Sequence, residues 1–167
     1  MLKQAIGWLK FFKGSTPEKS SNAKVIGSGN ITMRVLNRKP PMLDKILAAN
    51  MFPKLESTIY TYGDTIYNPS GQPIPDHLIA HEARHFKQQG NDPGAWWDKY
   101  LADKEFRFNQ EAEAYATQYR FVCESVKDRN IRFRILHYLA GILAGPTYGN
   151  ITTRVKAMEI IKQKSNI

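Results

Sequence analysis

The sequence predicts an α+β domain: a few antiparallel strands in its first half, then a mainly helical second half. Two β-prone regions and one long helical periodicity carry that prediction. Ile31, Met33 and Val35 alternate with Thr32 and Arg34 after the turn-forming run Gly27-Ser28-Gly29-Asn30. Thr58 to Tyr62 and Thr65 to Tyr67 are rich in Thr, Ile and Tyr and meet at Gly63-Asp64, the composition of a hairpin. Farther on, Phe108, Ala112, Tyr115, Tyr119, Val122 and Val126 recur in alternating steps of four and three residues. They mark the buried stripe of a helix from about Lys104 to Lys127.

Taken in order, residues 1–22 stand apart from the rest. Leu2, Ile6 and Leu9 recur at helical spacing among lysines, and Gly14 to Asn22 reads as a Ser- and Lys-rich linker. Lys10 and Lys13 interrupt the apolar run that a secretory signal requires, so no secretion signal is expected. Residues 23–167 form the single domain. Pro40 and Pro41 introduce a short helix over Met42 to Asn50, closed by Pro53. After the hairpin, Asn68-Pro69-Ser70-Gly71 makes a turn. A helix then follows Pro73 and Pro75, with Asp76 as its expected cap and Gly90 as its end. Ala95 to Asp103, the long helix, Ile131 to Ala144, and a last helix from Thr152 or Thr153 to Lys164 complete the chain.

A length of 167 residues is enough for one domain with its own core. No apolar run approaches a membrane span. The net charge is +9, from 24 Lys and Arg against 15 Asp and Glu, but no block of five like charges concentrates it. Nucleic-acid binding is disfavoured, because the Trp and Tyr residues that would stack on bases fall at core-like helical spacings. Cys123 is the single cysteine, so any metal site must use His and carboxylate ligands, as catalytic sites do.

The helix after Pro75 holds His81-Glu82-Ala83-Arg84-His85, an H-E-x-x-H sequence. His81 and His85 lie about 40° apart on one helical face and about 6 Å apart along the axis. Glu82 sits roughly 100° round, within reach of a water at the metal without being a ligand. Ile79, Ala83 and Phe86 form an apolar stripe opposite a face of His77, His81, His85 and Gln88. Three ligands at His77, His81 and His85 would spread over about 12 Å, too far for one ion. His77 therefore belongs to the rim, to the support of the site, or to the exposed surface.

A catalytic zinc takes a third protein ligand and keeps one position for water. His137 and several carboxylates qualify by type, and Gln110-Glu111-Ala112-Glu113-Ala114-Tyr115 on the long helix stands out. Glu111 lies about 60° from the centre of the buried stripe and Glu113 about 140° away, on the solvent side. A carboxylate bordering a core must be paired or bound to metal, which selects Glu111.

H-E-x-x-H followed by a glutamate on a second helix resembles the zincin metallopeptidases with a Glu ligand, the gluzincin branch. The E-x-E-A-Y segment is similar to the E-x-E-A-D or E-x-x-A-N of several small members, whose first Glu, Glu111 here, binds zinc. HEARHFKQ, WWDKYLADKEFRFNQEAEAY and GPTYGN together resemble short metallopeptidases encoded by bacteriophages, over about Thr58 to Asn150. Tyr115 departs from the pattern, standing where relatives carry an Asp or Asn that supports a zinc histidine. Another group would have to orient His81 or His85, with Asp64, Asp76 and Asp103 as candidates.

The resemblance implies a zincin-like fold, Zn²⁺ on His81, His85 and Glu111, and Glu82 as general base in peptide-bond hydrolysis. Tyr148, His137 and Arg84 are candidate oxyanion donors, Tyr148 being favoured through its GPTYGN context. The strand Thr65 to Tyr67 is a candidate for pairing with an extended substrate. Substrates implied are a peptide, a protein or a peptidoglycan cross-link. The location implied is the host cytoplasm or a virion, with residues 1–22 attaching to phage structural proteins. The alternative is a non-enzymatic virion protein that keeps the fold and the metal.

Overall fold

The computed structural model describes residues 24–26, 31–50 and 57–167. The expectations for residues 1–22, for the turn at 27–30 and for Pro53 lie outside the described residues. The first half forms a four-stranded sheet from β1 (Lys24–Ile26), β2 (Ile31–Leu36), β3 (Tyr60–Tyr62) and β4 (Thr65–Tyr67), in the order β1-β2-β4-β3. Helix α1 (Leu43–Ala49) lies between β2 and β3 in sequence.

β1 with β2 and β3 with β4 are antiparallel, as the alternation and turn signals predict. β2 with β4 is parallel, so the sheet is mixed rather than antiparallel throughout. The chain between those two strands contains α1 and β3, long enough for the crossover that a parallel pair requires. Tyr62 faces Thr65 across a two-residue turn in which only Gly63 has positive φ, the arrangement of a type II′ hairpin.

The strands' period of two sends side chains to two separate cores. On one face, Met33 and Ile66 pack on Ile79 and Ala83 of helix α2 (Asp76–Gln89). On the other, Tyr60 and Tyr67 pack with Met42 and Ile46 of α1 and with Trp96, Trp97 and Tyr100 of α3 (Pro93–Ala102). Thr61 stands opposite Ile66 in the hairpin and so faces α2. That position matters for the site.

Asp76 is the first residue of α2 rather than its cap. Pro75 holds the cap position with φ −62° and ψ 145° and makes no side-chain cap bond. Asp76 still places negative charge at the positive end of the helix. Gly90 ends α2 at φ 55°, a conformation that favours glycine.

The remaining helices are α4 (Lys104–Ser125), α5 (Arg129–Leu143) and α6 (Arg154–Ser165), with a 3₁₀ turn at Pro146–Tyr148. Asp103, Asp128 and Thr153 cap α4, α5 and α6 through their side chains. Phe108, Ala112, Tyr115 and Tyr119 of the stripe are buried against Leu136, Leu139 and Leu143 of α5 and Ala157 and Ile161 of α6, and Val122 is buried as well. Helix α4 also packs along α2, and this crossing brings Glu111 to the histidines. No helix among the described residues is long and apolar enough to cross a membrane.

Candidate metal centre

His81, Glu82 and His85 of α2 are all buried, as is Glu111 of α4 at 3% exposure. The two imidazoles turn their Nε2 atoms to each other at 3.1 Å. His85 Nε2 is 3.2 Å from Glu111 Oε1, and His81 Nε2 is 3.6 Å from Oε2 of the same carboxylate. Ligands bound tetrahedrally at zinc distances are about 3.3 Å from one another, so these donors are spaced as such a set. Glu111 Oε1 accepts a hydrogen bond from the Tyr100 hydroxyl at 2.7 Å. Glu111 Oε2 is buried with no hydrogen-bond partner among the described residues. A buried carboxylate oxygen left in that state requires a cation or a proton nearby.

The electrostatics say the same. Burial resists charge on His85, but Glu111 outweighs it and raises the imidazole to about 9. Burial likewise pushes Glu111 upward, and the two imidazoles override it, holding the carboxyl well below its usual range. The triad thus demands positive charge. His81, His85 and Glu111 can hold a divalent metal ion. They form the H-E-x-x-H-plus-glutamate pattern of a gluzincin hydrolytic centre. Comparison with family models, curated proteins and solved structures gives no match.

Glu82 lies beside this triad. Burial raises its carboxyl above the usual range against the pull of His81 and His85, and its Oε2 accepts from Thr61 Oγ at 2.8 Å. Thr61 reaches it because β3 runs along α2. The Thr61 carbonyl is in turn fixed by Gln89 Nε2 at 2.8 Å and Trp97 Nε1 at 2.9 Å, while Gln89 Oε1 accepts from Gly63 N at 2.8 Å. One glutamine thus ties the end of α2 to the hairpin. Nothing in the strand's alternation distinguishes Thr61 from Thr58 or Thr65, so the sequence reading passed over it.

Glutamines, not aspartates, support the histidines. Gln88 Oε1 is 2.8 Å from His85 Nδ1, and Gln118 Oε1 is 3.1 Å from His81 Nδ1. The three aspartates expected in this role are elsewhere: Asp64 pairs with Arg34, Asp76 is exposed at the start of α2, and Asp103 caps α4. Gln118 lies seven residues after Glu111, two turns along the same face, and that spacing was the available signal. His77 stands outside the triad and meets Gln118 Nε2 through its Nδ1 at 2.8 Å. Burial, then the charge of His81, pushes the His77 pKa down to about 4.

Glu113 is half-buried rather than solvated and pairs with Arg84 at 2.7 Å. Arg84 is thereby committed away from the triad. His137 is exposed on α5, 3.3 Å from Arg154 Nη1, and also stands outside the site. Tyr148 does line the cavity, with its hydroxyl 3.2 Å from that of Tyr115. The Tyr115 ring stands edge-on to His81, with ring centres 4.7 Å apart. Burial raises both phenols well above their ordinary value, so each remains a neutral hydroxyl.

The cavity measures about 450 Å³. Ser57 to Thr61, residues of α2 and α4, and Ile135, Tyr138, Leu139 and Ile142 of α5 are among those that line it. The strand along it is β3, at the sheet edge. β4 lies between β2 and β3 with both neighbours in place, so Thr65 to Tyr67 offers no edge to a substrate.

Proposed function

We propose that the protein is a zinc-dependent peptidase in which His81, His85 and Glu111 hold the ion and Glu82 is the general base. The observation that carries this reading is the convergence of three metal-ligand donors, Glu82 beside them, on one cavity. Bound there, zinc supplies a Lewis acid that polarises a carbonyl and makes water acidic near neutral pH. Glu82 takes a proton from the attacking water and returns it to the leaving nitrogen, and its raised pKa suits both transfers. Thr61 keeps that carboxylate oriented through a hydrogen bond to Oε2. Tyr148 is the proposed donor to the developing oxyanion, since a phenol held protonated by burial donates without losing its proton. An extended peptide would run along Ser57 to Thr61, which line the cavity beside the triad.

The resemblance to phage metallopeptidases makes a protein or a peptidoglycan cross-link the proposed substrate. Residues 1–22 are then the proposed attachment to phage structural proteins, in the host cytoplasm or on the virion. Zinc content and cleavage of a peptide library and of cross-linked peptidoglycan, measured on wild type and Glu82→Gln, test the reading. The expected result is stoichiometric zinc in both and cleavage by the wild type alone. Zinc in both with cleavage by neither favours the structural virion protein. Equal cleavage by both removes Glu82 from the chemistry.

A further inference from the structure

The two glutamines that face the metal histidines are themselves held, and the groups holding them decide which amide atom each histidine meets. Gln88 Nε2 donates to the Gln110 carbonyl at 2.9 Å and to Glu113 Oε2 at 3.0 Å. Both partners only accept, so the NH₂ of Gln88 is committed to them and its Oε1 must turn to His85. Glu113 is fixed in place by Arg84 at 2.7 Å and Lys164 at 3.9 Å. On the other arm, Gln118 Nε2 is 2.8 Å from His77 Nδ1, which accepts from it when neutral His77 carries its proton on Nε2, leaving Oε1 on His81 Nδ1 at 3.1 Å.

The consequence is a choice of tautomer. A carbonyl oxygen at Nδ1 requires N–H there, and a neutral imidazole then carries its lone pair on Nε2. Nε2 is the atom that both histidines turn to the triad. With either amide reversed, its NH₂ would demand the Nδ1 lone pair, and the proton would sit on Nε2, where a metal must bind. An amide can rotate to either face unless its other end is fixed. In this protein those ends meet Glu113, which can only accept, and His77, whose Nδ1 accepts in the Nε2-protonated tautomer.

We propose that His77 and Glu113 are positioning residues for the metal centre, each orienting a glutamine amide so that its carbonyl holds a ligand histidine in the metal-binding tautomer. This role rests on the metal-centre reading above, and it gives Glu113, excluded as a ligand, a function one residue removed from His85. It also accounts for the tolerance of tyrosine at position 115, because the support of His81 comes from Gln118 one turn later.

The test is the zinc affinity of the full-length, metal-stripped protein, by competition with a chromogenic chelator, beside the thermal unfolding of each metal-free variant. His77→Leu and Glu113→Ala are expected to weaken zinc roughly 10- to 100-fold, the usual cost of losing an outer partner of a ligand. His77→Asn and Glu113→Gln keep an acceptor near the same place and are expected to stay close to wild type. A purely structural role would lower metal-free stability without that rescue pattern. His77→Leu and Glu113→Ala within about twofold of wild type, or rescue variants as weak as the deletions, overturn the proposal. Loss in one arm alone confines the role to that arm. If the wild type binds zinc no better than His81→Ala, the metal-centre reading fails and this one with it.

Discussion

Without metal, stability should fall as pH rises through the His85 pKa, and the structure sets the size of the fall. Folding raises the His85 pKa from 6.5 to about 9, because the attraction of Glu111 exceeds the cost of burial. A folded value above the unfolded one means that stabilisation is complete below pH 6.5 and disappears as pH climbs through 9. The rise corresponds to about 3 kcal/mol, and the site is fully buried, so little is screened by solvent. The depressed Glu111 value describes the same ion pair from its other side and is counted once. Its contribution is present above the ordinary carboxylate range and lost as pH falls through the folded value. Urea unfolding in chelator at pH 6 and pH 10, on wild type and Glu111→Gln, isolates the pair. The wild-type advantage should shrink by about 3 kcal/mol between these conditions. Saturating zinc should abolish the decline, since ligated imidazoles are neutral throughout. An advantage that is unchanged or larger at pH 10 refutes the ion pair.

Three further outcomes follow from single contacts. Glu111→Ala should lose stoichiometric zinc by elemental analysis, while Glu113→Ala, at saturating zinc, should retain it; the reverse would assign the ligand to Glu113. Thr61→Val removes the hydroxyl that bonds Glu82 at little change in volume. A bond to a charged group contributes about 1.5–3 kcal/mol, so kcat/KM should drop roughly 10- to 100-fold with zinc content intact. Asp128→Ala removes the side chain that accepts from Asn130 N and Ile131 N at the start of α5. Chemical denaturation should register a loss of about 1 kcal/mol, with zinc affinity unaffected.

What the sequence made legible was whatever repeats locally. The 3.6-residue stripe on α4 separated Glu111 from Glu113, because residues two apart on one helix point about 160° away from each other in any tertiary arrangement. The hairpin was readable from Gly63, because the turn itself needs its positive φ. The strand pairing was not, because whether β2 lies beside β3 or β4 depends on packing across 28 intervening residues, Asn37 to Asp64, not on either strand. Thr61 and Gln118 were missed for a related reason. Each acts through a single long-range hydrogen bond, to Glu82 and to His81, and neither leaves a periodic trace. An amide orients a histidine as an acid does once its other end is anchored, and only the folded chain brings Gln88 and Gln118 to the two Nδ1 atoms.

The preference for amides has an electrostatic basis. With neutral imidazoles, the buried charges at the site are Glu111 and Glu82, two negatives that a divalent cation offsets completely. An aspartate behind either histidine would leave an excess buried negative charge, whose desolvation costs several kcal/mol unless another cation joins it. Gln88 and Gln118 direct the imidazoles without adding charge. The one further carboxylate in the network, Glu113, sits half-buried with Arg84 and Lys164 to neutralise it. Acidity is thus confined to positions where positive charge is at hand, and the oxygens nearest the histidines belong to amides or to the triad itself.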